Sequence, residues 1–208
     1  MLNWKRTARA GLGFVLSLAM LAGPAIAGSR SVQGYNPPAG MQLTAGKPTH
    51  ALMLRTGKVR LHPRFMRQVV PYRTNEPAGT IVVNTGEKYL YLVLGRGKAL
   101  RYGIGTARDG FEWSGTHRVT DKREWPGWTP PAAMRKRQPG LPAHMPGGPN
   151  NPLGARALYI GSTLYRIHGT NEPWTIGGDV SSGCIRMVNA DVVDLFGRVK
   201  IGAKVVVL

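Results

Sequence analysis

The chain has 208 residues, a single cysteine and a formal charge of +18. That length suits one domain with a core of its own. One cysteine excludes an intrachain disulfide framework, and the charge directs attention to an anionic partner.

Lys5, Arg6 and Arg9 precede an apolar run from Ala10 to Ala22, then Gly23-Pro24 and the small-residue triplet Ala25-Ile26-Ala27. This order predicts a secretory signal peptide over residues 1–27, cut before Gly28. The run is shorter than the roughly 20 apolar residues of a spanning helix. No later stretch is apolar enough either, so no stable membrane span is expected after cleavage. The remaining chain carries +15. An exported protein rarely meets nucleic acid, so the anionic partners expected are membranes, lipid head groups or cell-wall polymers.

Residues 28–78 read as a basic arm. Asn36-Pro37-Pro38-Ala39-Gly40 and Gly46-Lys47-Pro48 break regular structure, and eight Lys or Arg fall between Arg30 and Arg73 before the first nearby acid, Glu76. Regular structure is predicted from Gly79. Thr80–Val83 is a β-branched strand, Asn84–Lys88 a turn and Tyr89–Leu94 a second strand, which makes a hairpin. Ala99–Ile104 and Thr116–Thr120 follow as strands. Between Pro126 and Pro152 there are eight prolines, a density that predicts a long loop without helix or strand. Loops of that length inside a domain are often functional. Strands resume at Ala157–Ile160, Leu164–Ile167 and Ile185–Val188. Asn189 is read as an N-cap for a short helix closed by Gly197, with Asp191 and Asp194 on a solvated face. Lys204–Leu208 is a last strand. The fold class is mainly β, a β-sandwich-like mixed sheet with one or two short helices and a long Pro/Gly-rich loop.

Cys184 lies in Ser181-Ser182-Gly183-Cys184-Ile185-Arg186-Met187. Small residues let a substrate backbone approach, and their N–H groups can face an oxyanion. Sixteen positions earlier, His168 ends an apolar strand in Arg166-Ile167-His168-Gly169-Thr170-Asn171. A thiol nucleophile needs a base, and imidazole suits that task near neutral pH. An inert core cysteine and a packed strand-end histidine are the plain alternative. His50, His62, His117 and His144 show no metal-ligand spacing, so no metal and no cofactor is expected. Trp113, Trp125, Trp128 and Trp174 read as core or loop packing ahead of sugar stacking.

These two motifs resemble the L,D-transpeptidase catalytic domain, the YkuD or ErfK type, in its Gram-negative branch. The likeness extends through Gly127–Pro131 and Pro146–Gly154 and covers residues 79–208. It implies a periplasmic enzyme that acts on peptidoglycan stem peptides. Cys184 would attack the diaminopimelate–D-Ala bond of a tetrapeptide stem and form a thioester. An amine on another stem or on an outer-membrane lipoprotein would resolve it, and water would give L,D-carboxypeptidase action. The resemblance implies His168 as base, with the Gly169 carbonyl orienting its ring. It implies Gly183 and Cys184 as oxyanion donors, and Ser181, Ser182, Thr170 and Arg186 as substrate contacts; for Arg186 a structural salt bridge stands equally beside a contact to a stem carboxylate. Carbapenem-type inhibitors would acylate Cys184. Many members carry histidine where this chain has Ser182. Two rivals stand beside this reading. One is a sortase-like cysteine transpeptidase, although a sortase arginine lies much further past its cysteine. The other is a non-catalytic wall-binding protein with an inert Cys184.

Overall fold

The computed structural model describes residues 51–53 and 59–208. The predicted leader and the arm as far as residue 50 lie outside them. The first elements are β1 (Ala51–Met53) and β2 (Val59–Leu61), an antiparallel pair. A single 3-10 turn at Pro63–Phe65 leads to β3 (Gln68–Pro71). Then come β4 (Ile81–Asn84), β5 (Tyr89–Gly95), β6 (Lys98–Gly103), the short β7 (Thr106–Ala107) and β8 (Gly115–Glu124). Helix α1 (Ala132–Arg137) interrupts the proline-rich loop. The chain continues through β9 (Arg156–Ile160), β10 (Arg166–His168), β11 (Asp179–Ser181) and β12 (Ile185–Arg186). Helix α2 (Asn189–Arg198) and β13 (Lys204–Val207) complete it.

Nine of these strands form one mixed sheet in the order β12-β10-β9-β8-β13-β4-β5-β6-β3. The β10–β12 and β13–β4 pairs are parallel and the other neighbours antiparallel. Strand β8 links the halves. Its first residues pair with β13 and its later ones with β9, with a bulge between Val119 and Asp121. A bulge bends its strand and raises the local twist, so the halves turn toward each other. Ile81, Leu90, Leu92 and Tyr102 from one half share a core with Leu158, Ile160, Ile167 and Ile185 from the other, and Val192 and Leu195 of α2 fill it. Gly105, just beyond β6, exchanges two 2.9 Å backbone hydrogen bonds with Arg186. The sandwich therefore closes beside β12.

The fold class is as expected, and the local departures have physical causes. Helix α1 forms inside the proline-rich stretch because the prolines flank it. Pro131 is the N-cap residue and Pro139 lies beyond the end, while Ala132–Arg137 consists of strong helix formers. Residues 61–71 do not behave as a free arm. Phe65 is 1% exposed in a cluster with Leu61, Ile176 and Val188, and β3 pairs with β6 along the sheet edge. Helix α2 runs through Gly197 to Arg198, with Val188 at its N-cap. Asn189 is thus not the cap. Its side chain is used elsewhere.

The two acids of α2 are not a solvated face. Asp194 accepts from Tyr102 Oη at 2.7 Å and pairs with Arg198 and Arg67 at 2.9 Å each. Asp191 is buried, 4.0 Å from Arg67, and burial raises its carboxyl to about 6. An acid raised in the folded state binds its proton longer there than in the unfolded chain. Its stabilising contribution is complete below the ordinary carboxylate range and is lost as pH rises toward 6. Asp191→Asn should therefore match the wild type near pH 4 and gain about 1–3 kcal/mol by pH 7. Urea unfolding at the two pH values checks this, and a gain independent of pH would contradict it.

Candidate active site

His168 and Cys184 are brought together by β10 and β12. Ile167 lies opposite Ile185 and His168 opposite Arg186, and the Met187 N–H donates to the His168 carbonyl at 2.8 Å. The two isoleucines anchor the strands in the core. That places Cys184 on the turn entering β12. A cavity of about 540 Å³ opens over it, lined by His168, Cys184, Ser181, Ser182 and Arg186 among others. Trp128, Pro131, Met134 and Arg137 of the proline-rich loop and α1 form another wall, with Phe111, Leu164, Tyr165 and Arg166. The loop between Pro126 and Pro152 is therefore a wall of this cavity. Gly169, Thr170 and Gly183 are not among the lining residues.

Backbone and aromatic contacts fix the nucleophile turn. Ser181 Oγ donates to the Cys184 carbonyl at 2.6 Å and accepts from the Gly183 N–H at 3.1 Å. That hydroxyl pins the turn, and the Gly183 N–H is engaged by it. Gly183 sits at φ +111°, and a Cβ there would collide with the Tyr165 ring. Only glycine meets both conditions. The Tyr165 ring stacks on Trp113 with centroids 4.3 Å apart, and Trp113 Nε1 donates to the Gly183 carbonyl at 2.6 Å. Ser182 points elsewhere and accepts from Arg108 at 3.1 Å. The Arg108 and Arg137 guanidiniums both lie over the Phe111 ring.

The base is held as firmly. His168 Nδ1 meets the Gly169 carbonyl at 2.5 Å. A carbonyl can only accept, so Nδ1 carries the hydrogen and Nε2 is left with a lone pair. Asn189 Oδ1 accepts from the Ala155 and Thr170 N–H groups at 2.9 and 3.2 Å, tying α2 to the histidine loop. The Thr170 hydroxyl accepts from the Glu172 N–H at 2.9 Å, so it shapes that loop and does not face the cavity. Arg186 pairs with Glu172 at 2.8 Å while still lining the cavity.

The electrostatics favour a neutral pair at rest. Burial lowers the His168 imidazole to about 3, and the nearby Arg186 and Arg166 charges push the same way. Cys184 is partly open to the cavity, yet burial pushes its thiol up, against the pull of Arg166. At neutral pH the site holds a thiol and a neutral imidazole, whose ring is held by the backbone of Gly169 and Leu153. Arg108, Trp113, Tyr165 and Asn189 also shape the site but belong to neither motif. Their contacts bridge 19 to 74 positions, which no local pattern displays.

The family model of the L,D-transpeptidase catalytic domain, YkuD, matches residues 78–207. The chain is 42% identical over 137 residues to the protein described as probable L,D-transpeptidase ErfK/SrfK of Escherichia coli K12, covering 62% of this chain and 43% of that one. It is also 42% identical over 134 residues to that organism's YbiS, described in the same words, covering 60% and 43%. The chain thus spans less than half the length of these relatives. The solution structure of the catalytic domain of the Enterococcus faecium L,D-transpeptidase shares the fold, with a TM-score of 0.51 at 21% identity, covering 65% of this chain and all of that one. The chain belongs to the L,D-transpeptidase catalytic domain family of the YkuD type.

Proposed function

We propose that this protein is a peptidoglycan L,D-transpeptidase that works in the periplasm after export. The observation that carries the reading is one cavity that presents the sulfur of Cys184 and an oriented, neutral His168. His168 Nε2 takes the thiol proton as the sulfur attacks the carbonyl carbon of the diaminopimelate–D-Ala bond. The C–N bond breaks, D-Ala leaves with the proton from His168, and a thioester remains on Cys184. An amine on a neighbouring stem or a lipoprotein then attacks the thioester. It gives its proton to His168, and the thiol is restored. Apolar walls from Trp128, Pro131, Met134 and Leu164 suit the methyl groups of a stem peptide and limit water.

The Gly183 N–H already serves Ser181, so it reaches an oxyanion only by giving up that bond. Incubation with a tetrapeptide stem tests the reading. Release of D-Ala with formation of a 3→3 linked dimer supports it. D-Ala release without a dimer means that water is the acceptor.

Ser182 faces Arg108 and cannot shuttle protons at neutral pH. Ser182→Ala should lower acylation by roughly tenfold at most, the order of one lost hydrogen bond. Acylation by a carbapenem, followed separately from stem transfer, measures this. A loss as deep as that of a His168 variant would give Ser182 a role in the chemistry itself.

A further inference from the structure

A sulfur that yields its proton to a deeply buried imidazole needs a lasting counter-charge. Arg166 is placed to provide it. The β10–β12 register sets Ile167 opposite Ile185, so the preceding residues, Arg166 and Cys184, also neighbour one another. Both isoleucines point into the core. Alternation along β10 then sends Arg166 to the other face, where it lines the cavity together with Cys184 on the turn before β12. The Leu164 carbonyl accepts from Arg166 Nη1 at 3.1 Å and from Cys184 Sγ at 3.9 Å. Guanidinium and sulfur thus converge on one oxygen. Arg166 Nε is buried and has no hydrogen-bond partner among the described residues. Its guanidinium rests over the Tyr159 ring, 4.9 Å from the centroid.

The other charged groups around the sulfur are held mainly by other partners. From β12, Arg186 is paired with Glu172 through Nη1; its buried Nε also has no hydrogen-bond partner among the described residues, and it draws the thiol down less than Arg166 does. Arg108 is bonded to Ser182, and Arg137 of α1 lies over Phe111 across the cavity. His168 carries a charge only while it holds the proton. Among the described residues, no Asp or Glu lines the cavity.

We propose that Arg166 is the counter-cation of the Cys184 thiolate. On deprotonation the Leu164 carbonyl, a fit acceptor for a thiol, becomes a repulsive neighbour for the anion. The sulfur then turns to the guanidinium N–H groups, which cannot lose their own protons. Arg166 is also the largest influence drawing the thiol down against its burial. The inference rests on Cys184 being the nucleophile, but its test reads thiol ionisation alone.

The experiment is the rate of alkylation by iodoacetamide against pH, on the full chain and on Arg166→Gln and Arg166→Lys. Arg166→Gln should move the midpoint up by about one pH unit, a tenfold loss at pH 7, with the high-pH limiting rate unchanged. Arg166→Lys should recover most of that loss. A purely structural arginine would change the limiting rate and leave the midpoint in place, and an Arg166→Gln midpoint equal to the wild type overturns the proposal. If Arg166→Gln does not fold, the wild type decides. Iodoacetate, an anion, should gain several-fold over iodoacetamide relative to their ratio on free cysteine, and Arg166→Lys should keep the gain. A ratio no higher than on free cysteine overturns the proposal. A shifted midpoint without any turnover of stem peptides would count against the proposed function and leave this pair standing.

Discussion

Cys184→Ser is expected to abolish stem turnover and carbapenem labelling together, by on the order of 10⁴-fold or more, the scale of losing the nucleophile of an acyl-transfer site. Serine fits the turn, because the Ser181 hydroxyl holds the backbone of residues 183 and 184 and not the sulfur. The fold should therefore be kept. Chemistry fails because a hydroxyl is far less acidic than a thiol, so the same imidazole cannot activate it comparably. Thermal unfolding within about a degree of the wild type, with turnover lost, is the expected pair of readings. Substantial retained turnover would assign the nucleophile elsewhere.

The second large effect is expected at His168. His168→Ala should lower acylation by on the order of 10²–10⁴-fold, about 3–5 kcal/mol of barrier. The pH profile carries the sharper test. Because burial holds the imidazole well below its ordinary value of 6.5, the base stays available as pH falls. The acid limb of kcat/KM for acylation should lie well below pH 6.5 and be lost only as His168 protonates. The alkaline change should lie above the ordinary thiol range, because burial raises Cys184. An acid limb centred near 6.5 would mean an exposed imidazole, at odds with its 4% exposure.

The sequence showed the strands of the sandwich well, because each is a short β-branched or aromatic run bounded by turn residues. Tyr89–Leu94 and Lys204–Leu208 fall within a residue of β5 and β13. It showed the two motifs of the site through the single cysteine and the strand-end histidine. Helix α1 is hidden in the sequence because the proline density is an average over the stretch, while its six residues lie between prolines. The roles of α2 are hidden for a different reason. Asn189, Asp191 and Asp194 are residues typical of caps and solvated faces, and only tertiary contacts reveal otherwise. Asn189 reaches Ala155, 34 positions away, and Asp194 reaches Tyr102, 92 positions away. Arg186 illustrates the remaining gap. Its type fits a substrate carboxylate or an ion pair, and the nearby Glu172 supplies the pair.

The most direct test of the central claim is intact and peptide-level mass spectrometry of the enzyme quenched during turnover of a tetrapeptide stem. The predicted result is one acyl group, the stem without its terminal D-Ala, on the peptide bearing Cys184, absent from Cys184→Ser and accumulating when acceptor amines are withheld. Turnover of the stem with no adduct on Cys184, or with the adduct on another residue, would contradict it.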